Sequence, residues 1–116
     1  MCVDDFRAMG LAVSTTTDDG SAGEKGLVTG PLERALAAGD IQRVYACGPV
    51  GMLKGTAALA DKYSVDCQVS IETFMACGMG ACMGCAVKSK VDRDEKCRHA
   101  CLDGPVFDAD RIVLDH

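Results

Sequence analysis

The sequence contains no uninterrupted apolar run of about 18 residues, the length a membrane-spanning helix needs. Its first residues, MCVDDFRAMG, lack a basic region leading into an apolar stretch and a cleavage site, so no secretory signal is read there. Those two lacks make the cytoplasm the expected compartment, with no membrane partner. Basic excess is missing as well: 17 acidic against 12 basic side chains leave a formal charge of −5, which disfavours nucleic acid and points to protein partners. Histidine is scarce, with 2 in the chain, and no persuasive Cys–His pair suggests a cysteine nucleophile. His99 alone cannot supply the two histidines of a Rieske centre. Internal repeats and long low-complexity linkers are also absent.

Cysteine is abundant. Of 8 cysteines, Cys77, Cys82, Cys85, Cys97 and Cys101 crowd one segment, while Cys2, Cys47 and Cys67 are isolated. Disulfide staples would be spread across a small fold, so this clustering favours metal or iron–sulfur ligation in a reducing compartment. Cys77, Cys82 and Cys85 have the Cys-x4-Cys-x2-Cys spacing of plant-type [2Fe–2S] proteins, with a remote cysteine to complete four thiolates. Gly78, Gly80 and Gly84 permit sharp turns and let backbone N–H groups approach sulfur. For the fourth ligand, Cys101 is favoured over Cys97. It precedes the turn Leu102-Asp103-Gly104-Pro105, whereas Cys97 follows the charged run VDRDEK and reads as a spare surface thiol. Four cysteines around one zinc ion, in a zinc-stabilised interaction domain, are the structural alternative.

Hydrophobic patterning places these motifs. LAVSTTT, residues 11–17, reads as a strand running into a turn at Asp18-Asp19-Gly20-Ser21. Pro31 suits the first turn of a short helix with Leu32, Ala35 and Leu36 inward, ended by Gly39. Arg43–Ala46 reads as a strand, Cys47-Gly48-Pro49 as a break, residues 50–63 as a helix and 65–71 as a further strand of period two. The series resembles half of an open parallel α/β sheet, whose ligands bind beyond the strands' C-terminal ends. No first strand or glycine-rich phosphate turn precedes it, so a shortened or fragmentary chain is expected. Residues 1–71 thus form one expected unit and 72–116 a second, small cluster-binding unit with short strands.

The segments TDDGSAGEKGLVTG, Ala46-Cys47-Gly48-Pro49 with Met52-Leu53, Glu72 to Cys85, and Cys101-Leu102-Asp103-Gly104-Pro105-Val106-Phe107 carry a family resemblance. The chain resembles the C-terminal part of the electron-transfer subunit of dihydroorotate dehydrogenase B, in the FAD and [2Fe–2S] ferredoxin-reductase-like family. The fold implied is α/β: a partial nucleotide-binding domain followed by a small plant-type cluster domain. The resemblance implies a [2Fe–2S] cluster on Cys77, Cys82, Cys85 and Cys101, and places Cys47, Gly48 and Pro49 on the nicotinamide side of an NAD site. It also implies a hetero-oligomer in pyrimidine biosynthesis. There the cluster passes electrons between FAD, bound by a barrel this chain lacks, and FMN in a dihydroorotate-oxidising catalytic subunit.

Further roles are open between alternatives. Asp18 and Asp19 suit either the ribose hydroxyls of NADH or a solvated turn, Cys47 a nicotinamide contact or a small buried hydrophobe, and Glu72 a brace for the loop or a solvated side chain. Met75, Met79 and Met83 suit packing around the cluster or an apolar skirt for a partner. A rival plan of the same kind is the small subunit of an NADH-dependent ferredoxin:NADP oxidoreductase or a sulfide dehydrogenase.

Overall fold

The computed structural model describes residues 2–90 and 97–114. The run VDRDEK, residues 91–96, lies outside the described residues.

A β-α-β unit forms the centre. Strand β3 (Arg43–Cys47) and strand β4 (Asp66–Ser70) pair in parallel, in register from Arg43↔Asp66 to Cys47↔Ser70. Helix α3 (Val50–Lys62) connects them, starting directly after Pro49. Its buried residues Leu53, Thr56 and Ala60 recur at helical spacing and so share one face. The helix stops where Ser64 turns left-handed at φ 56°, letting Val65 N–H reach the Ala60 carbonyl at 2.8 Å. Helix α2 (Thr29–Ala37) lies against α3, where Lys62 Nζ meets Glu33 Oε1 at 3.0 Å.

Later residues complete this sheet. Strand β7 (Val106–Asp108) joins the free edge of β4 in antiparallel fashion, with Val69 opposite Phe107, and Gln68 Nε2 donates to Asp108 Oδ1 at 3.1 Å. Between them, β5 (Ala86–Lys88) and β6 (Cys97–His99) form an antiparallel pair with Ala86 opposite His99 and Lys88 opposite Cys97. Val113 N–H donates to the Lys88 carbonyl and Lys90 N–H to the Arg111 carbonyl, tying this pair to the end of the chain. The main core takes Leu53, Val69 and Ile71 from before residue 72 and Val87, Ala109, Ile112 and Leu114 from after it. Sheet and core are therefore common to both stretches.

Two local expectations are corrected, and one helix is new. The strand expected over 11–17 is confined to β1 (Thr16–Thr17), which pairs with β2 (Glu24–Lys25) outside the central sheet. A β-branched run becomes a strand only where a packed neighbour receives it, and Leu11, Ala12 and Ser14 are exposed. Helix α2 holds Pro31 in its first turn as expected, but it buries only Leu36, with Ala35 facing solvent. A short helix α1 (Val3–Ala8), not anticipated from patterning, buries nothing. Asp4 and Asp5 in its first turn and Arg7 in its last suit the helix dipole.

Candidate functional site

The cysteine loop leaves β4 after Ile71 and returns to regular structure at Ala86. Left-handed backbone at Gly78, Gly80 and Met83 folds it back on itself. Gly80 is required twice over. Its φ is +79°, and a Cβ there would lie 2.3 Å from Leu102 Cδ1, so the segment carrying Cys101 packs directly on the loop.

That second segment is a closed turn. His99 N–H donates to Asp103 Oδ2 at 2.8 Å, Asp103 N–H donates back to the His99 carbonyl at 2.7 Å, and Ala100 N–H donates to the Cys85 carbonyl at 3.2 Å. Ala100 is wholly buried, which fixes the turn against the loop. Cys101 thereby faces Cys85, Sγ to Sγ at 3.3 Å. Cys97 sits across from Lys88, two residues further along the β5–β6 pair than Ala86↔His99, and so lies at the end of the ribbon remote from Cys85.

Backbone amides converge on sulfur. Met79 and Ala81 N–H donate to Cys77 Sγ at 3.3 and 3.4 Å, and Gly84 N–H donates to Cys82 Sγ at 3.4 Å. The N–H groups of Met79, Cys82 and Ala81, with the Cys82 thiol, bring the Cys77 thiol down to about 6. The N–H and then the thiol of Cys101 lower the Cys85 thiol. Cys101 is pushed up, chiefly by the Cys85 thiol beside it and then by loss of water, and it also senses the charge of Cys77. The four sulfurs thus occupy one neighbourhood as two pairs, Cys77 with Cys82 and Cys85 with Cys101.

This donor set fits an iron–sulfur cluster of two irons, each of which needs two soft terminal thiolates. Among the described residues, no three Cys, His, Asp or Glu side chains meet around a single-ion position. A lone tetrahedral zinc would require such a meeting.

The remaining sequence candidates lie elsewhere. Asp18 and Asp19 are exposed in the turn after β1, where Asp19 Oδ1 accepts the Ser21 N–H at 2.9 Å and that bond lowers its carboxyl. Cys47 is exposed at the end of β3, and Gly48 and Pro49 carry the chain into α3. The two sets belong to different sheets. Glu72 is exposed. So are Met75, Met79 and Met83, and with them Phe74 at 79% and Leu102 at 60%, two residues that sequence reading did not single out. Their signal was their place beside the cysteine segments, apolar residues next to each group of ligating type.

Loop, turn and paired thiols mark the later part of the chain as a stretch suited to binding iron–sulfur, within one mixed α/β fold. Residues 72–113 match the iron–sulfur cluster binding domain of dihydroorotate dehydrogenase B. Over most of its length the chain resembles the electron transfer subunit of that NAD-linked enzyme. It is 44% identical to the subunit of Caldanaerobacter subterraneus subsp. tengcongensis, over 97% of this chain and 44% of the relative. It is 42% identical to that of Streptococcus mutans, over 89% of this chain and 39% of the relative. The solved structure of an NADH-dependent reduced ferredoxin-NADP oxidoreductase superposes with a TM-score of 0.77 at 31% identity, covering 97% of this chain and 39% of that one. The chain spans less than half the length of these curated relatives. Among the described residues, no helix is long and apolar enough to cross a membrane.

Proposed function

We propose that Cys77, Cys82, Cys85 and Cys101 hold a [2Fe–2S] cluster and that the chain relays single electrons between two flavin sites. The observation that carries this reading is the pair of thiol pairs with amide N–H groups directed at sulfur, inside the stretch matching a cluster-binding domain. Bound there, the cluster supplies one-electron chemistry, which suits a place between flavins that handle electrons in pairs or singly.

The chain's own residues hold and expose the site. The two cysteine pairs provide terminal ligands, the loop amides offset negative charge on sulfur, and Gly80 lets Leu102 close over the loop. Phe74, Met75, Met79, Met83 and Leu102 offer an uncharged apron against which a partner protein can seat. We assign residues 72–116 the cluster-binding role and residues 1–71 the role of part of an NAD-binding domain, with Asp18, Asp19 and Cys47-Gly48-Pro49 on its nucleotide side. The partner is an FMN-bearing, dihydroorotate-oxidising subunit, with FAD on the other side of the relay, in a hetero-oligomer serving pyrimidine biosynthesis.

Anaerobic reconstitution with iron and sulfide, followed by dithionite reduction, tests the cluster. Two irons and two sulfides per chain with a spin-one-half resonance signal are expected, whereas a colourless protein with stoichiometric zinc sinks the reading. The likeness to the ferredoxin-NADP oxidoreductase structure favours a second partner, a larger flavin and iron–sulfur subunit. Mixing the oxidised, loaded chain with each candidate subunit decides between them: bleaching of its visible absorbance by dihydroorotate, dependent on the FMN subunit, is the outcome expected of the first.

A further inference from the structure

Among the described residues, one buried side-chain polar atom has no hydrogen-bond partner: the hydroxyl oxygen of Thr73, at the entry to the cysteine loop. The chain is held on both sides of it. Just before it, Ile71 N–H donates to the Pro105 carbonyl at 3.0 Å, in the stretch that follows Cys101. Just after it, Phe74 packs on the returning arm of the loop. A Cβ built on Gly84 would lie 3.7 Å from the Phe74 ring, 3.8 Å from the Phe74 carbonyl oxygen and 3.4 Å from Cys82 Sγ. Thr73 therefore stands between the turn that carries Cys101 and the arm that carries Cys82.

A hydroxyl taken out of water without a partner costs free energy, and native folds seldom leave one in that state. No nitrogen, oxygen or sulfur of the described residues accepts its proton, the four thiols included. The acceptor then comes with whatever the thiols bind. A two-iron cluster brings one kind of acceptor that the protein does not contain, its inorganic sulfides. We propose that the Thr73 hydroxyl donates a hydrogen bond to a bridging sulfide of the cluster held by Cys77, Cys82, Cys85 and Cys101, and so helps to set its potential. This rests on the cluster reading above. A donor directed at sulfide offsets negative charge, and more of that charge is present once an electron has been added. The bond therefore favours the reduced state.

Valine matches threonine in shape and lacks the hydroxyl, whereas serine keeps it. On the full, loaded chain, T73V should lower the equilibrium constant for reduction by about three- to tenfold, the upper figure being about 59 mV of midpoint potential for one electron. T73S should hold most of the original potential. An unchanged potential in T73V, the result that a buried water as partner would give, overturns the assignment, and so does a T73S potential equal to that of T73V. The unloaded full chain gives the converse reading. There the hydroxyl has no partner, so T73V should leave the denaturant midpoint level or raise it. A clear fall would show that Thr73 serves the folding of the loop, which also overturns the assignment. The same measurement decides the matter if T73V takes up no cluster. Lost uptake with the unloaded midpoint kept and T73S loading normally supports the donor role, and lost uptake with a lowered midpoint, or in T73S as well, refutes it. Failure of the unsubstituted chain to take up two irons and two sulfides is a separate result, which defeats the cluster reading itself.

Discussion

The β3–α3–β4 unit and the cysteine loop are stabilised by different physics, although they share a sheet and a core. In the first, a hydrogen-bonded parallel ladder is sealed by Leu53 and Val69, each almost wholly buried. In the second, residues 72–84 contribute no buried hydrophobic side chain, and the loop is shaped by left-handed turns, N–H···S contacts and thiols facing each other. Apolar burial is present before any ligand arrives. Ligation is not, and its free energy becomes folding free energy for the loop alone.

The sharpest break of that contrast is loss of a ligand. Cys101→Ala should abolish or nearly abolish cluster content, read as iron, sulfide and visible absorbance, while far-ultraviolet circular dichroism retains the helical signal of α3. Cys97 should not rescue it, because β6 places it opposite Lys88 rather than beside Cys85. If C97S alone removes the cluster, the ligand assignment is wrong.

Core truncation should instead break both regions together. Leu53→Ala removes a side chain that is 1% exposed and belongs to the core shared by Val87 and Ile112, so it should cost about 2–5 kcal/mol of unfolding free energy. Denaturant unfolding of the chain, followed by circular dichroism and by cluster absorbance, should show both signals shifting to lower midpoint. A shift in the first alone would mean that the loop has a core of its own.

This contrast also explains what was legible in the sequence. Strands β3 and β4 and helix α3 could be read closely because apolar periodicity and the stops at Gly48-Pro49 and Ser64 coincide. The cysteine loop announced its chemistry through ligand spacing, which survives without any knowledge of packing. What stayed hidden was non-local: β7 pairs with β4 across about forty positions, and no local propensity records that Val87, Ile112 and Leu114 complete the core begun by Leu53. The exposure of Phe74 and Leu102 was hidden for the same reason, since an apolar residue is equally consistent with a core and with an apron.

Gly80 tests the seam between the two regions at smaller cost. Gly80→Ala puts a Cβ into left-handed backbone, about 1–2 kcal/mol of local strain, and into Leu102. Weaker cluster retention on dilution or mild chelation is expected, with the unfolding midpoint of α3 nearly unchanged. The double variant with Leu102→Ala should recover part of the loss. The steric share is relieved while the left-handed strain remains, so full recovery would show that backbone conformation at Gly80 is unimportant.

The smallest effect belongs to the surface of the α/β region. Hydrogen bonding and charge from Lys62 lower the Glu33 carboxyl, so the folded state binds its proton less readily than the unfolded chain does. A depressed carboxyl contributes stability above its unfolded pKa, and that contribution is lost as pH falls through the folded value. Stability should therefore decline slightly on acidification below the ordinary glutamate range, and Glu33→Gln should remove that part of the decline. Both groups are exposed to water and salt, so the effect should shrink further at high ionic strength. Cluster content should not follow it. The ion pair joins α2 to α3, and the loop takes its shape from Cys77 to Cys101, where this carboxylate makes no contact.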